Sequence, residues 1–336
     1  MVKKIYKFDN NIQITHANVL EIYDSWPSPI AIVSDGPYGV NGFKGDLPTK
    51  EGLKDWYEPH VKKWTEKATP QTTLWFWNTE IGWASVHPLL ESYGWQYVNC
   101  HVWDKGLAHI AGNSNTKKSK KLPIVTEVCV QYVKKPIFKN GGKDLSMKEW
   151  MINEWKRTGL PFSATNKAAG VKDAATRKYF TKDHLWYSPP SEVYQKLSDY
   201  ANRHGDQKGR PFFSINGKDS LTRVQWEGLK AKFKCPMGIT NVWHVKTLKG
   251  KERFKVGSKA FHLNQKPLEL MKLIIELSTD KKDIVWEPFG GLATAAIASN
   301  ILDRKCFTAE VDKRIYNVAI ERFKAYQNQN KLNKFV

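Results

Sequence analysis

The sequence predicts an α/β chain, a layered sheet interrupted by a long, basic, helix-rich middle region. Three observations carry that prediction. Short apolar runs of strand type alternate with helical patterns over residues 12–140 and again over 255–336. A tight glycine loop, Gly290-Gly291, follows one such run and opens a helix of small residues. Residues 151–260 hold 22 Lys and Arg against 9 Asp and Glu, an excess of 13 within a net charge of +20.

Ile12–Ile14 and Ile30–Val33 are short strand-type runs, with a short helix expected between them over "HANVLEIYDSW". Over residues 50–67, Leu53, Trp56, Tyr57, Val61 and Trp64 recur at spacings of three and four, one apolar helical stripe that belongs to the core. Thr69-Pro70 ends that helix. Thr72–Asn78 is the next strand, then a helix through Leu90, then strands over Tyr97–Asp104 and Val125–Val133. The polar, basic stretch between Trp103 and Leu122 is expected to be a mobile loop, and "KNGGKD" (Lys139–Asp144) a domain boundary. Leu160–Phe180 has small residues, a glycine-containing turn and a second helical run opened by Asp173, a spacing that fits a helix-turn-helix or a plain helical hairpin. "SPPSEVYQKLSDYANRHG" is a helix with prolines at its start and Gly205 at its stop. Near the end, Pro267 opens a buried helix; Asp283–Glu287 is a strand, "KCFTAEVD" another, and "RIYNVAIERFKAY" the last helix.

Composition bounds the function. With 336 residues, 41% hydrophobic and 12% aromatic, the chain can bury a sizeable core. No apolar run reaches the ~18 residues of a membrane span, and the first residues lack an apolar signal region, so a cytoplasmic location is expected. Cys100, Cys129, Cys235 and Cys306 are far apart and read as isolated thiols, with neither a disulfide framework nor a metal site expected. The positive excess, large and local, points to a polyanionic partner rather than to a merely solvated surface. Arg and Lys interleaved with Tyr, Phe and Trp suit nucleic acid.

The motifs narrow this further. Glycines after a strand let the backbone approach a ligand where a Cβ would clash. The spacing in "WEPFGGLAT" (Trp286–Thr294) is not the dinucleotide fingerprint, and the loop lacks the lysine of a phosphate-cradling loop, so a nucleoside-type ligand without polyphosphate fits best. About twenty residues on, Glu310 ends the next strand, where an acid can accept hydrogen bonds from ribose hydroxyls; a surface acid beside a structural turn is the alternative. Asp35 and Glu287 both sit at strand ends. If their strands are neighbours, the turn "DGPY" (Asp35–Tyr38) faces whatever the glycine loop holds.

Taken together, these segments resemble the amino-methylating DNA methyltransferases that use S-adenosylmethionine, in the order of their β group. "DGPY" resembles the catalytic Asp/Asn/Ser-Pro-Pro-Tyr/Phe motif, and "EPFGGLAT" the Asp-x-Phe-x-Gly-x-Gly-Thr cofactor motif. "HLNQKPLELMKLII" resembles the His-x-x-Gln-Lys-Pro segment, while "NVWHV", "TEVCVQYVKK" and "ITHANVLEIYDSW" resemble further family segments. The sequence departs at Gly36, where the family has proline, at Ala293, where it has glycine, and at Asn18, where aspartate is frequent.

The resemblance implies a Rossmann-like mixed sheet with an inserted, mainly helical DNA-recognition region. It divides the chain into a catalytic half (1–140), a basic target-recognition region (141–254) and a cofactor-binding half (255–336). It implies Asp35, Gly36, Pro37 and Tyr38 as catalytic. Asn18, Asp35, His262, Gln265, Lys266, Glu287, Pro288, Phe289, Gly290, Gly291, Thr294 and Glu310 are implied for S-adenosylmethionine. Arg177, Lys178, Lys117 and Lys118 are the expected DNA contacts. In the implied chemistry the Asp35 carboxylate and the Gly36 carbonyl accept the two amino protons of an extruded base, freeing the nitrogen lone pair, and Tyr38 stacks on that base. No covalent intermediate and no catalytic cysteine are needed. An acid in first place favours adenine N6, with cytosine N4 as the alternative. An RNA methyltransferase and a non-catalytic nucleic-acid-binding protein are the other readings. The implied partners are double-stranded DNA, a restriction endonuclease acting on the same site, and a second copy in a homodimer.

Overall fold

A computed structural model describes all residues except 1–3, 10, 42–44, 108–119, 121, 173–174, 207–208, 249–252, 257–258, 262–264 and 333–336. The chain divides into two units, residues 1–134 with 232–336 and residues 135–231. The strands are β1 (Lys4–Phe8), β2 (Ile12–His16), β3 (Ala31–Ser34), β4 (Thr73–Asn78), β5 (Trp95–Asp104), β6 (Thr126–Lys134), β7 (Phe138–Asn140), β8 (Lys143–Leu145), β9 (Val242–His244), β10 (Lys255–Val256), β11 (Lys259–Ala260), β12 (Ile284–Glu287) and β13 (Lys305–Glu310). The helices are α1 (Leu53–Lys67), α2 (Glu80–Ser92), α3 (Met147–Arg157), α4 (Ala164–Ala169), α5 (Arg177–Phe180), α6 (Ser191–His204), α7 (Arg223–Glu227), α8 (Leu268–Ser278), α9 (Thr294–Ile301) and α10 (Lys313–Leu332). No helix among the described residues is long and apolar enough to cross a membrane.

The larger unit is organised by one sheet, which among the described residues has nine strands in the order β1-β2-β13-β12-β3-β4-β6-β5-β9. The five strands from β2 to β4 are parallel, while β1 and β6 run against their neighbours, so the sheet is mixed. Period-two alternation sends successive side chains to opposite faces. Ala31, Val33, Trp75 and Trp77 join a core with Leu270 and Ile274 of α8, Ala295 of α9 and Tyr316 of α10. Ile32, Leu74 and Phe76 join another with Leu53, Tyr57, Val61 and Trp64 of α1 and Val86 and Leu90 of α2. A sheet covered on both faces is the arrangement that parallel strands with helical crossovers require.

Local structure departs from the sequence reading in places with a physical cause. The helix expected over residues 16–26 is instead two 3-10 turns, Val19–Glu21 and Tyr23–Ser25. Buried Val19, Ile22, Tyr23 and Trp26 stand three and four apart, a spacing that suits a 3-10 or an α-helical face over so short a span. "KNGGKD" is the turn of the β7–β8 hairpin, where Gly141 and Gly142 both take positive φ (55° and 79°), as such two-residue turns require. The expected mobile loop lies mostly outside the described residues, with Lys117 and Lys118 in it.

The smaller unit has its own core, in which Trp150, Trp155, Tyr194, Phe213 and Trp226 are buried. The Tyr194 and Trp226 rings stack at 4.2 Å with an interplanar angle of 4°. Buried Glu154 accepts hydrogen bonds from Arg157, Arg210 and the Phe213 backbone N–H. That pairing is what a buried carboxylate needs. The helix over "SEVYQKLSDYANRH" is α6, stopped at Gly205 as the sequence reading has it. The second helical run is shorter than expected: Asp173 lies outside the described residues, α4 ends at Gly170 in a left-handed conformation, and α5 is a single turn. Arg177 and Lys178 on that turn are exposed, while Tyr179 packs inward.

Candidate active site

Strands β3 and β12 are neighbours, as are β12 and β13. Parallel pairing brings their carboxyl ends to one edge of the sheet. There, Asp35 follows β3, the Pro288–Leu292 loop follows β12, and Glu310 closes β13. A cavity of about 560 Å³ opens beside them. Of the expected cofactor residues, Asn18, Asp35, Gln265, Lys266, Glu287, Pro288, Phe289, Gly290, Gly291, Thr294 and Glu310 all line it, together with Gly36 and Pro37. His262 lies outside the described residues.

The glycine loop is built by close approach. A Cβ on Gly290 would lie 2.4 Å from Thr308 Oγ1 and 3.0 Å from the Ala309 carbonyl, so only glycine fits against β13. Ala293 takes φ 55° and ψ 43°, the left-handed region. A residue with a Cβ is strained there by about 1 kcal/mol. Glu287, buried, turns both carboxylate oxygens to the start of α9, accepting from Ala295 N–H (2.8 Å) and Ala296 N–H (3.2 Å). Burial lifts its pKa to about 8 despite those bonds. Glu310 accepts from Gly291 N–H (2.9 Å) and Asp312 N–H (2.8 Å), which ties the loop to β13. Burial raises its pKa to about 7. Asn18 caps the first 3-10 turn by accepting from Leu20 N–H at 3.2 Å.

The turn after β3 is tightly held. Asp46 accepts the backbone N–H groups of Tyr38, Gly39 and Val40 at 2.7, 2.8 and 3.0 Å. Lys266 Nζ lies 2.8 Å from Asp35 Oδ1 and 3.5 Å from Glu127, and Lys105 pairs with Glu127 at 2.7 Å. Burial works against the Lys266 ammonium, but the Asp35 and Glu127 carboxylates outweigh it and hold its pKa above the ordinary lysine value. Glu127, pushed up by burial, is held below the ordinary range by Lys266 and Lys105. Lys266 thus lines the cavity and also braces the Asp35–Tyr38 turn. Tyr38 is not brought to the cavity wall. The residue is 4% exposed, its hydroxyl donates to Asp35 Oδ1 at 2.9 Å, and Lys266 Nζ sits 5.2 Å from the ring centroid.

Sequence reasoning assigned the α1 stripe to the core, and Leu53, Tyr57, Val61 and Trp64 are there. Trp56, half-buried against that core, and His60 also line the cavity, with Phe289 against both at 5.2 and 5.0 Å. The signal for them was a histidine inside an apolar stripe, four residues after a tryptophan. Burial lowers the His60 pKa to about 4, and its Nδ1 lies 3.1 Å from the Tyr23 hydroxyl, so near neutral pH it is an uncharged part of the wall.

The cavity therefore offers an aromatic and apolar wall, acceptor carboxylates at Glu310 and Asp35 and, among the described residues, one cation, Lys266, already paired. That donor set fits a nucleoside bearing a positive charge and disfavours a polyphosphate. The residues present thus fit S-adenosylmethionine.

A family model described as DNA methylase, of the N6/N4 type, matches residues 30–321. The type II methyltransferase M.HindIII of Haemophilus influenzae is 30% identical over 170 residues, 51% of this chain and 48% of that protein. The type II methyltransferase M.BglII of Bacillus subtilis is 25% identical over 338 aligned residues, 98% of this chain and 71% of that protein. The chain thus spans about half the length of the first relative and more of the second. The solved structure of the PvuII cytosine-N4-specific DNA methyltransferase superposes with a TM-score of 0.51 at 12% identity, covering 93% of this chain and 86% of that one. At that identity the likeness is one of fold.

Proposed function

The chain belongs to the N6-adenine/N4-cytosine DNA methylase family, and on that premise we propose that it moves a methyl group from S-adenosylmethionine to an exocyclic amino group of a base in double-stranded DNA, adenine N6 in preference to cytosine N4. The observation that supports this most directly is the shared cavity: Asp35, Gly36 and Pro37 line the same space as the glycine loop and Glu310. A bound S-adenosylmethionine supplies an electrophilic sulfonium methyl. Phe289, Trp56 and His60 would cover its base, and Glu310 would accept from its ribose hydroxyls. Asp35, together with the Gly36 carbonyl, would accept the protons of the target amino group, pulling its nitrogen toward tetrahedral geometry so that its lone pair can attack. Positioning and electrostatics then provide most of the rate enhancement. Tyr38 is the face on which we place the extruded base, which requires its buried ring to become exposed; its hydroxyl meanwhile anchors Asp35. Adenine preference rests on the acid in first place. Base-resolved detection of modified nucleotides in DNA from a host expressing the chain tests the reading, and DNA free of both N6-methyladenine and N4-methylcytosine would refute it. The sequences flanking the modified bases would also define the site, and hence the endonuclease specificity that this methylation blocks. Sedimentation of the purified chain tests the homodimer.

Glu310 gives a cofactor prediction. Glu310→Ala should weaken S-adenosylmethionine binding by about 1.5–3 kcal/mol, the size of a charge-assisted hydrogen bond. The ribose hydroxyls need the ionised carboxylate, and its pKa stands near 7. Protonation below that value turns a charged acceptor into a weaker neutral one, so affinity should fall as pH drops from about 8 to about 6. Titration calorimetry at both pH values checks this. Unchanged affinity in the variant together with a flat pH profile would return Glu310 to a purely structural role.

The smaller unit, 135–231, is proposed to read the duplex, with exposed Arg177 and Lys178 as contacts. Lys117 and Lys118 are proposed as phosphate contacts. If α5 enters a groove, Arg177→Ala with Lys178→Ala should erase the preference for target over random DNA with little change in salt slope. Phosphate anchoring should instead weaken both and reduce the log-log salt slope by about one unit for each phosphate no longer neutralised. Wild-type binding and slope in the double variant would remove α5 from the interface.

A further inference from the structure

We propose that Tyr57, on α1, is a positioning residue for the Asp35–Tyr38 turn, and that position 36 is glycine because the Tyr57 hydroxyl occupies the space its side chain would need. The inference rests on reading this turn as the methyl-transfer site. A Cβ built on Gly36 lies 2.6 Å from Tyr57 Oη and 2.9 Å from Phe289 Cδ2, closer than real Cβ atoms approach. Gly36 is not among the glycines with positive φ, so space and not backbone conformation demands glycine here. The same hydroxyl donates to the Pro37 carbonyl at 3.2 Å, and Asn78 Nδ2 donates to that carbonyl at 3.1 Å.

Tyr57 can act as a brace because packing holds it on all sides. It is fully buried, with the Phe76, Trp64 and Phe289 rings at 5.0, 6.2 and 6.2 Å. Its hydroxyl reaches across from a helix of the covering layer to the loop at the sheet edge. Glycine leaves the chain free to rotate at position 36. Two donors on the Pro37 carbonyl, and the Asp46 carboxylate on the next three N–H groups, restrict that rotation from outside the turn. They hold the Pro37–Tyr38 peptide, next in the chain to the peptide that carries the Gly36 carbonyl, one of the two acceptors for the amino group, and the Pro37 ring fixes the φ between the two. Stiffness that glycine does not supply is here delivered in part by a side chain from α1.

The test is a cycle of four full-length proteins: wild type, Tyr57→Phe, Gly36→Ala and the double variant. Each is assayed for transfer of tritiated methyl from S-adenosylmethionine to unmodified phage DNA, and each is melted. Tyr57→Phe should lower kcat about tenfold, through a lost hydrogen bond that leaves the Pro37 carbonyl under-satisfied, with the KM for S-adenosylmethionine unchanged. Gly36→Ala should lower kcat about a hundredfold when Tyr57 is present and about tenfold or less in the Tyr57→Phe background, because the hydroxyl no longer contests the Cβ. The edge of the Phe289 ring, the end of a side chain, can then yield. Wild-type kcat in Tyr57→Phe, or a double variant equal to the product of the singles, overturns the proposal. Should Gly36→Ala fail to fold, the kcat and KM of Tyr57→Phe decide alone. If the wild type transfers no methyl group, the methyltransferase reading falls, while coupling between positions 36 and 57 in the melting cycle still decides the pairing.

Discussion

Asp35→Ala should lower methyl transfer by ~10²–10³-fold, the usual loss on removing one acceptor or donor aimed at the transition state. Binding of S-adenosylmethionine should stay close to wild type, because most of the lining residues are elsewhere in the cavity. The carboxylate is placed for this role by its position one residue past β3 and by two donors on the same oxygen, Tyr38 and Lys266. Among the described residues no protein partner engages Oδ2, which leaves that oxygen for a substrate amino group. Single-turnover transfer with prebound cofactor isolates the chemical step. A variant within threefold of wild type would show that Asp35 is not the acceptor.

Lys266→Met should have the largest effect on stability. Lys266 is 3% exposed and lies between two carboxylates from distant parts of the chain. Breaking a buried ion pair by removing one partner costs about 3–5 kcal/mol. The low end applies here, because Glu127 keeps Lys105 and Asp35 keeps the Tyr38 hydroxyl. A loss of about 3 kcal/mol in a unit of this size corresponds to a fall of roughly 6–12 °C in Tm. Activity should fall with it, since the carboxylate of Asp35 loses its brace. The Lys266 pKa is raised in the folded chain, so its contribution is present below the ordinary lysine value and is lost as pH rises through the raised one. The Tm difference between wild type and variant should therefore persist unchanged across neutral pH. Thermal melts at several pH values measure it, and equal Tm values would mean that methionine packs there as well as the ion array does.

Single strands, their glycine loop and the acids at their ends were legible because each is contiguous in sequence. "EPFGGLAT" announces a close approach of backbone to strand, and Gly290 against Thr308 is that approach. Asp35, Glu287 and Glu310 were placed at strand ends by the same local reasoning. The 3-10 turns after β2 were not separable from a helix, because buried residues three apart suit either period over so short a span. Likewise, α5 was drawn too long because a helical pattern of small residues does not say where the turn before it ends.

What the sequence by itself determined is the class of chemistry: an acid-led turn and a glycine loop in the order of an amino-methylating DNA methylase, on an α/β sheet, with a basic region between. Only the tertiary structure decided which side chains serve that turn. Lys266 meets Asp35 across 231 residues of sequence separation, Trp56 of the stripe and neighbouring His60 also form cavity wall, and Tyr57 fills the space of a missing side chain at Gly36. The reason is physical. Periodicity reports which face of an element is apolar, but the side chains that meet at the sheet edge are chosen by the pairing of β3 with β12 and by the rotation of α1 above them, neither of which is written in any local stretch of residues.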